Sequence, residues 1–244
     1  MSKKHTLSDM LDDAALLSLE HQLHLEEFLG DHAWHVDLQA PRFEFTGERP
    51  LVCERFHLLG SAAPGPKSWM WGWANPSGFH EDLTALGAAV RDFGRENDIP
   101  ELGQAEVPFG SLPGAPEEAH LALHPMTEAA KLLTGRWFSY NGDAGGGTRV
   151  SFIIEHPDLR LPAATSTRVM RILQEGVAGL RLFDPKRAVY TYARLRGLSP
   201  RFTDADRRTL ALSAPGIDLE VEFDEADRVI RMEGGLSNPE HGGI

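Results

Sequence analysis

The sequence predicts an α+β protein with a mainly antiparallel sheet and packed helices, built as two adjacent α+β units. Three patterns carry that prediction. Between residues 34 and 75 apolar and polar residues alternate, which is the strand period. In 8–29, 79–94 and 117–133 apolar residues recur every three or four positions, which is the helix period. Beyond Pro157 and Pro162 the mixture starts again, with two helical stretches followed by alternating ones.

The first helix is predicted over 8–29. Ser8 is its expected cap, Asp9, Asp12 and Asp13 suit its N-terminal turns, Leu16, Leu19, Leu23 and Phe28 form its stripe, and Gly30 stops it. Glu20, His24 and Glu27 share one face and read as a solvated polar surface rather than a metal site. Strands follow at Trp34–Leu38, Phe43–Phe45 and Leu51–Leu59, then a loop over Gly60–Pro66 and a strand over Ser68–Asn75. Short connections between them predict an antiparallel meander. Within Ser68–Asn75 the indoles of Trp69, Trp71 and Trp73 leave one face of an extended strand, and Met70, Gly72 and Ala74 leave the other. The aromatic row is expected to be core, with a ligand platform as the alternative. The small face is expected to admit a close neighbour.

Further helices are predicted at Phe79–Gly94 and at Glu117–Leu133, the second kinked by Pro125, with a short strand at Ala105–Phe109 between them. Arg136–Asn141 and Val150–Glu155 read as a hairpin whose tip is the glycine-rich run 142–147. That run lacks the Lys-Ser/Thr ending of a phosphate loop. The domain organisation expected is 1–156, then 157–236, then a disordered tail over 237–244. In the second unit, helices are expected at Ala164–Leu182 and Pro185–Arg196, and strands at Arg207–Ser213, Ile217–Phe223 and Val229–Glu233.

The 244 residues include 24 basic and 36 acidic side chains, a net charge of -12. That disfavours sequence-independent nucleic-acid binding, which needs Lys and Arg to displace counterions, and no nucleic-acid partner is expected. It suits a basic protein partner reached by electrostatic steering. Cys53 is the only cysteine, so no internal disulfide and no paired-cysteine zinc site is expected. Met1-Ser2-Lys3-Lys4 leads into polar and acidic residues rather than a signal-peptide core, and no stretch reaches membrane-spanning length. The expectation is a cytoplasmic protein with no membrane association.

Several motifs resemble one family. Phe43-Glu44-Phe45, Phe56-His57-Leu58-Leu59-Gly60-Ser61, Ser68-Trp69-Met70-Trp71-Gly72-Trp73-Ala74-Asn75, Gly94, Ile99-Pro100-Glu101-Leu102 and Trp137-Phe138-Ser139-Tyr140 occur in the order found in the bacterial domain of unknown function 6882. The resemblance spans roughly residues 8–155 and departs from the pattern at His57, where another polar residue such as Gln is expected. It implies no activity and no catalytic residues.

Chemistry is sparse. Cys53 and His57 lie four apart on a predicted strand, ~13 Å along its axis, too far to act as nucleophile and base. Glu54, on an apolar strand, is expected to need Arg55, Arg49 or an indole N–H as partner if it points inward. His120 and His124 have the one-turn spacing of a metal pair but lack the glutamate of the zinc-protease motif and a third ligand. The candidate ligand or partner-binding residues are therefore Glu54, Arg55, His57, Trp69, Trp71, Trp73 and Asn75, with His120 and His124 as candidate metal ligands and no cofactor. The function expected is a non-catalytic interaction protein of bacterial cytoplasm, of the immunity type. Glu117-Glu118, Asp204-Asp206 and Glu220-Glu222-Asp224 would meet its basic partner. The alternative is an enzyme or small-ligand binder with a pocket beside the tryptophan strand.

Overall fold

The structure is a computed structural model that describes residues 5–235. The expected tail over 237–244 lies outside the described residues. The fold is α+β: among the described residues there are six α-helices and three antiparallel sheets. The chain divides into two compact units. One contains residues up to Leu11 together with His21–Leu161, and the other contains Asp12–Glu20 together with the chain from Pro162 onward.

The first helix, α1 (Leu7–Leu29), is capped by Thr6 rather than Ser8. The Thr6 hydroxyl accepts the Asp9 N–H, and the Asp9 carboxylate in turn takes the Thr6 N–H, a reciprocal capping box. In the first unit, β1 (His32–Asp37), β2 (Arg42–Gly47) and β3 (Leu51–Val52) form a three-stranded sheet in that order. β4 (Arg55–Ala63), β5 (Ser68–Trp71), β6 (Glu106–Pro108), β7 (Ser139–Gly145) and β8 (Thr148–Glu155) form a second sheet in the order β6-β5-β4-β8-β7.

The expected four-stranded meander is thus two sheets. The predicted strand Leu51–Leu59 breaks at Cys53-Glu54, where the Cys53 N–H still bonds to Phe43 but the Glu54 N–H bonds to Glu155. The chain changes sheets at that corner. The strand then runs on to Ala63, past the glycine where a loop was expected. A bulge sits between Leu58 and Gly60, and the odd residue Leu59 flips the alternation. Phe56 and Leu58 face one hydrophobic cluster, and beyond the bulge Ala62 joins Leu59 on the other.

Those two clusters make the core. On one side of the five-stranded sheet, Phe56, Leu58, Phe152 and Ile154 meet Phe43 and Phe45 of the smaller sheet and Leu25 and Leu29 of α1. On the other side, Leu59, Ala62, Trp69, Trp71 and Ile153 meet α2 (Glu81–Glu96), the short α3 (Pro100–Gly103) and α4 (Ala119–Thr134). α4 continues through Pro125, and its buried Thr127 bonds to Ser151 at 2.7 Å. The glycine-rich hairpin is longer and tighter than expected. β7 reaches Gly145, only Gly146-Gly147 turn, and Gly142 lies under the Trp34 ring, where a Cβ would come within 2.2 Å.

The tryptophan stretch departs from the prediction after Trp71. β5 ends there, and Gly72–Ala74 form a 3-10 turn. Trp69 and Trp71 share a face, are fully buried and pack edge to face at 5.4 Å. Trp73, in the turn, packs against the same core cluster but is only half-buried. The close approach expected at Gly72 is present, since a Cβ there would lie 2.6 Å from the Leu58 carbonyl oxygen. Gly72→Leu should cost ~1–3 kcal/mol or more by overpacking, read as a lowered denaturation midpoint; an unchanged midpoint would contradict this packing.

In the second unit, β9 (Ser199–Phe202), β10 (Thr209–Ala214), β11 (Ile217–Phe223) and β12 (Val229–Gly235) form one antiparallel sheet in the order β12-β11-β10-β9. Leu210, Leu212, Leu219, Val221 and Phe223 are buried, while Asp218 and Glu220 face solvent. Two helices complete it: α5 (Ser166–Gly179), packed on β11 and β12, and α6 (Pro185–Leu195), next to β9. β9 had no sequence signal, because Ser-Pro-Arg-Phe offers neither β-branched residues nor a long alternation.

Candidate functional site

Three polar residues of the first unit converge at one end of the five-stranded sheet. His57 enters from β4, Glu155 from the end of β8, and Arg136 from the segment between α4 and β7. His57 Nε2 lies 3.1 Å from Glu155 Oε1, and Arg136 Nε donates to the same oxygen at 3.0 Å. Burial would raise the Glu155 carboxyl pKa, but the hydrogen bonds from His57 and Arg136 outweigh it and hold the group below its ordinary value. His57 Nδ1 is buried and meets no hydrogen-bond partner in the protein.

A carboxylate-oriented imidazole is part of a general-base apparatus. Its missing part is a nucleophile. Cys53 packs with Phe56 and Leu58, on the side of the sheet away from His57, and burial pushes its thiol pKa up to about 12. The structure therefore does not bring Cys53 and His57 together.

The other candidates scatter. Glu54 does not point inward: it and Arg55 are both exposed. Trp71 donates its indole N–H to the Glu101 carbonyl at 3.3 Å, and Trp69 and Trp71 present no surface to a ligand. Trp73 is half-buried beneath two guanidiniums, Arg91 at 5.1 Å and Arg95 at 6.0 Å from its ring centre. Asn75 accepts the Ser77 N–H and closes a turn. His120 and His124 are exposed on α4, and His120 lies 3.2 Å from Glu118. Among the described residues no group of three or more His, Cys, Asp or Glu side chains is placed to hold a metal.

The expected acidic contacts divide. Glu117, Glu118, Asp206 and Glu220 are exposed. Asp204 instead accepts the N–H groups of Arg208 and Thr209, Asp224 accepts those of Ala226 and Arg228, and Glu222 pairs with Arg231 at 3.1 Å. These three organise hairpin loops and a cross-strand pair. The net charge is also unevenly placed. Residues 1–161 hold 24 acidic and 12 basic side chains, and residues 162–244 hold 12 of each.

Sequence reasoning missed a second polar centre, inside the second unit. Glu20 is fully buried. It accepts Tyr192 Oη at 3.0 Å and Arg196 Nε at 2.8 Å, and pairs with Arg168 at 3.1 Å. Asp13 takes two bonds from Arg187 and one from Thr191. Asp12 accepts the N–H groups of Phe183 and Asp184, while burial pushes its carboxyl pKa up to about 6. The polar face read as solvated is, at Glu20, the most enclosed acid of the helix. The usable signal was the pattern of acids around Leu16 and Leu19, set against arginines at 168, 187 and 196 in a neutral C-terminal segment.

A comparison with curated proteins and one with solved structures gave no match. The model of a family described as a family of unknown function (DUF6882) matches residues 8–157, more than half of the chain and all of its tryptophan motif, so this protein belongs to that family.

Proposed function

We propose that this protein is a non-catalytic interaction protein whose first unit binds a basic protein partner, in the manner of an immunity-type protein of bacterial cytoplasm. The observation that supports this best is the charge of the first unit: without Asp12, Asp13 and Glu20, which belong to the second unit, it holds 21 acidic and 12 basic side chains, -9 of the total -12. Many of those carboxylates, including Glu54, Glu81, Asp82, Glu117 and Glu118, are exposed. A surface of this kind speeds encounter with a cationic partner more than it strengthens the final complex. The single cysteine can form no internal disulfide, which fits a reducing compartment.

The test is affinity capture from the source organism, followed by association kinetics of the recovered complex across a salt series. Association should slow several-fold between low and physiological salt, because exposed charges are screened over ~8–10 Å there. Replacing Glu117 and Glu118 by lysine should slow it further and lower the denaturation midpoint only slightly, the cost of two cations at the start of α4. Recovery of no protein, with a metabolite raising the melting temperature instead, would replace this reading with a small-ligand one. The observation that favours that second reading is the buried, unpartnered Nδ1 of His57 beside Glu155 and Arg136.

A further inference from the structure

Residues 12–20 of α1 carry a ligand-like pattern. Asp12, Asp13, Leu16, Leu19 and Glu20 fall at i, i+1, i+4, i+7 and i+8, one face of a helix with acids at both ends and leucines between. That face belongs to the second unit. At its N-terminal end Asp12 takes the backbone N–H groups of Phe183 and Asp184, and Asp13 takes Arg187 bidentately. At its middle Leu16 lies against Gly176 of α5, where a Cβ would come within 2.2 Å of the leucine side chain. At its C-terminal end Glu20 is bracketed by Arg168, Tyr192 and Arg196. Every receptor group lies between 168 and 196, outside the family match at 8–157, while the helix lies inside it.

We propose that the second unit is a helix-recognition module whose ligand is an acidic amphipathic helix of the pattern in residues 12–20, and that it takes this helix without a covalent link, including from a second copy of the chain. The arrangement is helix-in-groove recognition, with leucine anchors and charge-assisted bonds fixing direction and register. A helix lacking the acids would take the carboxylate partner from Arg168, Arg187, Arg196 and the Tyr192 hydroxyl, all partly or fully buried, so selectivity comes from the cost of the wrong ligand. This inference stands apart from the basic-partner reading, which concerns exposed carboxylates.

The full chain tests it, with a protease site inserted in the loop between β8 and α5, which has no helix or strand from 156 to 165. After cutting, the two pieces should still co-elute on gel filtration at 0.15 M salt. The same cut in a chain carrying Asp12→Ala, Asp13→Ala and Glu20→Ala should let them separate. Since that variant has a second route to failure, through misfolding, a labelled peptide of residues 5–30 is added to the cut variant, whose C-terminal piece is unaltered and whose own helix lacks the acids. It should bind at least tenfold more tightly than the same peptide with Asp13→Asn and Glu20→Gln. Separation of the wild-type pieces, or equal binding of the two peptides, overturns the proposal.

Discussion

Glu20→Ala should lower the stability of the protein by about 3–5 kcal/mol, the range for removing one partner of a buried ion pair. The cost arises from what stays behind. Glu20 has no exposed surface, and the side chains of Arg168 and Arg196 are only 22% and 12% exposed. Without the carboxylate, two guanidiniums and the Tyr192 hydroxyl lose their acceptor in a place water reaches poorly. Arg196 keeps one bond, to the Pro162 carbonyl, which replaces only a fraction of the loss. Arg171→Ala is the contrast. Its pair with Glu175 is half exposed on α5, and such pairs contribute ~0–1 kcal/mol. Urea denaturation of the two variants reads both numbers. A loss below about 1 kcal/mol for Glu20→Ala would mean that the charge cluster is solvated in solution.

Periodicity made the elements legible where one face is buried and the other wet. α1, α2, α5, α6 and β11 all lie within a few residues of their predicted spans, because a strict apolar stripe or alternation has one solution. Periodicity failed where the local rule changes inside an apolar run. Leu51–Leu59 holds no turn residue at Cys53-Glu54, yet the chain leaves one sheet and joins another there, a choice made by partners far along the chain, Phe43 and Glu155. The bulge at Leu59 is equally silent, since leucine suits either face. Site geometry was less legible still. His57 was a candidate, but its partners Arg136 and Glu155 are about 80 and 100 residues away, and only the pairing of β4 with β8 brings them within hydrogen-bond distance. Glu20 was misread for a related reason. A glutamate on an acidic helix is normally solvated, and only tertiary structure shows arginines converging on it.

Trp71→Ala should cost about 3–5 kcal/mol, the range for deleting a large aromatic from a packed core, and Trp73→Ala only ~1–2 kcal/mol. The two residues stand two apart in the same motif, so the contrast isolates the change of backbone between them. Were Ser68–Asn75 one strand, Trp69, Trp71 and Trp73 would project from one face into one environment, and their deletions would cost alike. Instead the strand ends at Trp71 and a 3-10 turn begins at Gly72. Trp71 loses a buried ring, an edge-to-face contact with Trp69 and a hydrogen bond to Glu101. Trp73 is half-buried: it loses a partial contact with the same core cluster beside Gly87, and its place under Arg91 and Arg95, contacts of ~0.5–1 kcal/mol each at exposed sites. The backbone turn survives either deletion, because its Asn75 N–H to Gly72 bond involves no indole. Denaturant titration with near-ultraviolet circular dichroism follows both stability and aromatic packing. A gap smaller than about 1 kcal/mol between the variants would return Trp73 to the core row and remove the 3-10 turn from the account of this motif.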